Sequence, residues 1–137
     1  MKFMTQEEKD LLFKELSSRL AYRVKFPIYW WNEDTQTDEE IIATLYSINT
    51  DGYCEIFDHD GTVYIDNIKP YLRPMNSMTE EEQKEYHKTF RVEADTHGFT
   101  YIESFESFDW LTAHHFDFRD LISKGLALEA SQGMYNN

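Results

Sequence analysis

Two Asp-Gly pairs, Asp51-Gly52 and Asp60-Gly61, constrain this chain more than any other feature. Each places a glycine where a tight hairpin turn needs positive φ. The residues between and around them alternate in polarity, which is the period of a half-buried strand. Tyr53-Cys54-Glu55-Ile56-Phe57 lies between the turns and Thr62-Val63-Tyr64-Ile65 follows the second. Glu40 to Ile48, before the first, is rich in β-branched and aromatic residues. Further upstream, Tyr22-Arg23-Val24-Lys25-Phe26 alternates again and Ile28-Tyr29-Trp30-Trp31 continues it. Pro27 has no N–H for a ladder, so this strand is expected at an edge or bent. Asn32 to Asp38 reads as an acidic loop. Lys69-Pro70-Tyr71-Leu72-Arg73-Pro74 is bounded by prolines and suggests a short helical turn and a fifth strand. Residues 22–75 are therefore expected to form a small curved antiparallel sheet of four to five strands, an SH3-like barrel.

Helices flank this region. Thr5-Gln6-Glu7-Glu8 is a capping box, and Leu12, Leu16 and Leu20 then form one apolar stripe, predicting a helix over 6–20. Thr79-Glu80-Glu81-Glu82 is a second box, opening a helix that runs to about Phe90. Residues 91–103 fit neither period; Gly98 interrupts them, and Phe99 to Ile102 has the composition of a strand. Ser107 to His115 reads as helix, burying Phe108, Trp110 and Leu111. The expected fold is a single α+β domain over 1–137: an N-terminal helix, the curved sheet, and a mainly helical part over 79–130.

The formal net charge is −13, and it is not evenly spread. Residues 33–68 carry ten acids and no lysine or arginine. A single-sign field of this kind repels nucleic acid and anionic lipid and attracts basic protein surfaces. No apolar run reaches membrane-spanning length. The N-terminus turns acidic before any apolar core, unlike a signal peptide, so a cytoplasmic location is expected. The one cysteine, Cys54, excludes an internal disulfide and a multi-cysteine zinc site.

His114-His115-Phe116-Asp117-Phe118-Arg119-Asp120-Leu121 is the stretch richest in chemistry-bearing side chains. Two histidines that share a metal on a helix stand four apart, whereas His114 and His115 are adjacent. Asp117 suits the N-cap of a helix starting at Phe118, with Asp120 in its first turn, Gly125 as its stop and Arg119 on the surface. Asp58-His59-Asp60-Gly61 lacks the ligand spacing of a calcium loop and reads as a turn. Cys54 has the phase of a small core residue. There is no phosphate-cradling glycine loop and no Gly-x-Ser-x-Gly elbow. Trp30 and Trp31 point to opposite faces of their strand, so one of them beside the acidic loop is a candidate interface residue.

Thr5-Gln6-Glu7-Glu8-Lys9-Asp10-Leu11-Leu12, Asp51-Gly52-Tyr53-Cys54, Ile68 to Met75, Ser77-Met78-Thr79-Glu80-Glu81, and Asp109-Trp110-Leu111 through Leu128-Glu129-Ala130 resemble a family of short uncharacterised acidic proteins of Bacteroides-type gut bacteria and their phages and mobile elements. The resemblance covers most of the chain and is weakest over 28–48. It implies a cytoplasmic, mobile-element origin and carries over no catalytic residue.

The expected function is a non-enzymatic protein-binding module, an acidic inhibitor or adaptor of the anti-defence or nucleic-acid-mimic type, acting on a basic protein surface. Its binding residues would be Tyr29, Trp31, Glu33, Asp34, Asp38, Glu39, Glu40, Asp58 and Asp60. No cofactor, direct nucleic-acid contact or membrane partner is expected. The alternative is a metal-dependent hydrolase using His114, His115 and Asp117.

Overall fold

The computed structural model describes residues 4–57 and 61–135. Helix α1 (Gln6–Arg19) opens on the expected capping box: the Glu8 N–H donates to Thr5 Oγ1 at 3.1 Å and the Thr5 N–H to Glu8 Oε1 at 2.9 Å. Leu12 and Leu16 face inward and are fully buried. A 3₁₀ turn over Leu20–Tyr22 follows, and Arg23 at φ 57° turns the chain into the sheet.

Strands β1 (Lys25–Asn32), β2 (Thr37–Ile48), β3 (Tyr53–Ile56) and β4 (Thr62–Tyr64) form an antiparallel meander in chain order. β1, which holds Pro27, is an edge as expected. The register of β2 against β3 shifts between Leu45 and Ser47. Such an irregularity bends the strand and raises its twist, curling the sheet into half a barrel. Asn49 shapes the first Asp-Gly turn, its Oδ1 accepting from the N–H groups of Asp51 and Tyr53. Gly52 takes φ 88°, and a Cβ there would stand 3.0 Å from Ile65 Cγ2, so glycine is needed for both conformation and space. Asp58, His59 and Asp60 lie outside the described residues.

The inner face of the sheet closes on α1. Phe26, Ala43, Leu45, Cys54 and Ile56 pack with Leu12, Leu16, Val24 and Ile68 in one core. Burial raises the Cys54 thiol to about 11, which keeps it protonated and unreactive at neutral pH.

β5 (Tyr71–Leu72) does not join this sheet. It pairs in parallel with β8 (Leu128–Glu129), while Arg73 bridges to Phe116 on its other side. The Arg73 N–H donates to the His115 carbonyl at 2.7 Å, and the Asp117 N–H to the Arg73 carbonyl at 2.8 Å. Residues 70–73 thus stitch two C-terminal segments to the middle of the chain. Parallel pairing of short segments nearly sixty residues apart leaves no local mark in the sequence.

The 79–130 part is less helical than expected. Helix α2 (Glu80–Lys88) starts at the predicted Thr79–Glu82 box, and α3 is Phe105–Ala113. Between them β6 (Arg91–Asp95) and β7 (Gly98–Ile102) form a separate antiparallel hairpin. The helix expected from Phe118 does not form. Asp120 adopts φ 65°, breaking the spiral where it should propagate. A single turn remains, closed by the expected stop: Gly125 at φ 75° donates to the Ile122 carbonyl, and Leu126 to that of Leu121. Asp117 serves this displaced turn, its oxygens accepting from the N–H groups of Leu121 and Ile122 at 2.8 and 2.9 Å.

Arg19 is fully buried at the junction of α1 with the C-terminal part. Its Nε donates to Glu15 Oε2 at 2.9 Å and its Nη2 to the Phe116 carbonyl at 2.7 Å. Arg119, on the surface as expected, holds the other Glu15 oxygen at 2.7 Å. Removing one member of a buried ion pair strands its partner, at a cost of about 3–5 kcal/mol. Arg19→Met leaves Glu15 to Arg119 alone and the Phe116 carbonyl without its donor, so it is expected to lower unfolding free energy in urea by about 3 kcal/mol, the low end of that range. Arg91→Ala, which breaks the exposed Arg91–Glu93 pair, should change it by less than about 0.5 kcal/mol.

Candidate functional site

β1 and β2 outrun the core they belong to. Phe26 and Ala43, opposite each other, are the last fully buried pair. Beyond them the two strands continue as a ribbon to a turn over residues 33–36. The turn is built by Asn32: its Oδ1 accepts from the Asp34 N–H at 2.9 Å and its carbonyl from the Gln36 N–H at 2.8 Å. Gln36 takes φ 57° to close it. The loop is thus shorter than the 32–38 expected, and Asp38, Glu39 and Glu40 belong to β2.

Cross-strand partners share a face of the ribbon. Tyr29 stands opposite Glu40, and Trp31 opposite Asp38. Since Phe26 points to the core, Pro27, Tyr29 and Trp31 point away from it, together with Ile42, Glu40 and Asp38. Tyr29 is 71 % exposed and Trp31 55 %. The core-side continuation carries Trp30 opposite Glu39, and the Asn32 amide holds Glu39 at 2.9 Å. Trp30 is exposed as well, beyond the reach of the core that the described residues form. Alternation allowed one tryptophan in and one out, or both covered; on the overhang both are exposed. Of the expected binding residues, Tyr29, Trp31, Asp38 and Glu40 are brought together on one face. Glu39 lies on the other, and Glu33 and Asp34 sit in the turn. Ile42, exposed opposite Pro27, was missed; its strand phase is the signal that locates it.

Tyr29 also borders a cleft of about 690 Å³ where the half-barrel stays open between β1 and β4, with Asp66, Lys69 and Leu128 among its lining residues.

The histidine-rich stretch is committed elsewhere. His114 Nδ1 lies 2.8 Å from the Trp110 carbonyl, and its ring stacks on Trp110 at 4.0 Å. His115 sits at φ 66°, buried against Tyr135 with ring centroids 3.5 Å apart. Tyr135 Oη accepts from the Lys25 N–H at 2.8 Å and donates to the Tyr71 carbonyl at 2.7 Å, pinning the C-terminal segment across β1 and β5. Asp117 spends both oxygens on backbone N–H groups. Among the described residues no three His, Cys, Asp or Glu side chains converge as metal ligands.

No family model, curated protein or solved structure matches this chain. No helix among the described residues is long and apolar enough to cross a membrane.

Burial, then the positive charge of Arg19, with His114, Arg73 and Lys25 adding to it, lowers His115 to about 4. The unfolded chain, with its histidine near 6.5, binds the proton more readily between those values. Stability supplied by neutral His115 is thus complete above about pH 6.5 and lost as pH falls toward 4, by roughly 2–3 kcal/mol. Glu82, lowered to about 2 chiefly by its hydrogen bonds from Arg73, contributes stability above its ordinary 4.5 that is lost further down, as pH falls toward 2. Urea unfolding across pH 4–7 should show the first loss in the native chain and not in His115→Phe, which keeps the stack on Tyr135.

Proposed function

We propose that this chain is a non-enzymatic binding module whose β1–β2 ribbon docks on a basic protein surface. The observation that carries this reading is the exposed pairing of Tyr29 with Glu40 and of Trp31 with Asp38 on one face. Exposed aromatic side chains anchor interfaces because they bury large area at low entropic cost. Carboxylates beside them select a cationic partner and speed its approach. Glu33, Asp34 and Glu39 extend the negative field around the tip, and Asp58 and Asp60 add two further acids in sequence. Such a surface suits an inhibitor or adaptor that competes with an acidic ligand, including a nucleic acid, for a basic groove. Its own acidity disfavours direct contact with nucleic acid or anionic lipid. The proposed setting is the cytoplasm of a bacterium carrying a phage or mobile element, as the sequence resemblance implies. A relation of the half-barrel to SH3-like barrels belongs to the same proposal; the curl of the four-stranded meander supports it.

A lysine- and arginine-rich peptide, followed by tryptophan fluorescence, tests the docking. Binding should weaken steeply as salt shortens the Debye length below about 8 Å. Tyr29→Ala/Trp31→Ala should cost about 2 kcal/mol or more, as truncated anchors do. Neutralising Asp34, Asp38, Glu39 and Glu40 together should abolish binding, and unchanged affinity in that variant would overturn the reading.

A further inference from the structure

The β6–β7 hairpin has a face that none of the described residues covers. Its register sets Val92 opposite Tyr101 and Ala94 opposite Phe99, so these four side chains share one side. Arg91, Glu93, Asp95 and Thr100 occupy the other, with half-buried Ile102 opposite Arg91. The hairpin is amphipathic, yet its apolar side is in solvent: Phe99 is 74 % exposed and Tyr101 66 %, with Val92 and Ala94 exposed beside them. An isolated two-stranded hairpin is marginal in water and ordinarily needs its apolar face covered.

We infer that the cover is a second copy of this chain, with the apolar faces of two hairpins packed against each other. Three observations favour a copy over a different partner. First, the face is self-complementary in shape. β7 contributes a column of rings, Phe99 and Tyr101, and β6 a column of small side chains, Val92 and Ala94. Turning one hairpin over the other seats the rings of each on the small column of its mate, as facing layers pack in a β-sandwich. Second, the face carries no charge, so it offers nothing to select a basic partner, and it lets two chains of net charge −13 meet without opposing carboxylates across the contact. Third, the area is of the right order. Phe105, 91 % exposed, begins α3 just beyond β7. Phe99 and Tyr101 present roughly 300 Å² of aromatic surface per chain, with Phe105 following them in sequence. A stable interface takes about 800 Å² per partner, leaving Val92, Ala94 and the flanking residues to supply the remainder.

Sedimentation equilibrium on the full chain, up to roughly 100 µM and in low and high salt, tests this. A dimer is expected whose affinity holds or strengthens at high salt, since burial of apolar surface is not screened. Phe99→Asp/Tyr101→Asp should be monomeric throughout. Ala94→Arg keeps both rings and should also lose the dimer, by placing a charge under the ring column of the mate. Circular dichroism of both variants should match the native chain. Tyr29→Ala/Trp31→Ala, at the ribbon, should leave the dimer intact. A native chain that stays monomeric at every concentration overturns the proposal, as does a dimer that persists in both hairpin variants.

Discussion

One guanidinium, wholly out of water, fixes how the two ends of this chain meet. Arg19 is anchored in α1 by Glu15 one turn earlier and reaches the Phe116 carbonyl ninety-seven residues on. A charge buried this deeply is tolerable only when its partners are in place. The Phe116 carbonyl must therefore point at α1, which fixes the path of the chain on either side of it. His115 takes the left-handed conformation next to that point, and Arg73 pairs with both flanks of Phe116 while stacking on its ring at 4.1 Å. Arg73 in turn grips Glu82 with two bonds of 2.7 Å, which seats α2. The sequence from α1 through the 115–117 segment and β5 to α2 is one chain of charge-assisted contacts.

The same cluster explains the histidine pair. Glu15 faces two arginines, so the pocket has an excess of positive charge. A protonated imidazole beside Arg19 would add to it, and neutral His115 is the consistent state. Among the described residues, His115 Nδ1 and Arg19 Nη1 are buried without a hydrogen-bond partner. Polar atoms left in this way oppose stability. Here the surrounding ion pairs and the Tyr135 stack offset that cost.

What could be read in advance divides by the range of the forces involved. Both glutamate capping boxes, the Asn49–Gly52 turn, the burial of Cys54 and the Gly125 stop depend on residues within a few positions of one another, and their chemistry is visible in the letters. Arg19 was not legible as a core residue, because Glu15 and Arg19 spaced four apart look the same on a solvated helix face. Asp117 was legible as a cap but not as the cap of a turn displaced to Leu121, since nothing local in the letters marks the departure of Asp120 from helical φ. The hairpin over 91–102 was obscured because its apolar residues alternate in register with a face that no described residue covers. Alternation without a core to confirm it is a weak signal. For the candidate ribbon, the outward phase of Tyr29 and Trp31 was legible, and its reach beyond the core was not.

That outward phase is itself secured at a distance. A slip of one residue between β1 and β2 would trade Tyr29 and Trp31 for Trp30 on the outer face and would break the pairing of aromatic with acid. Within the ribbon the register is weakly specified, since both sides are largely exposed, and the Asn32–Glu39 hydrogen bond is one contact that a slip would break. The register is held at its root: Phe26 and Ala43 are fixed in the core, Val24 accepts from the Leu45 N–H at 3.0 Å, and Pro27 on the edge removes one donor that a shifted ladder would need. At the far end the Asn32 turn admits only a four-residue loop. The spacing of rings and carboxylates on the exposed face is therefore a property of the buried core, and it persists in solvent because both ends of the ribbon are pinned.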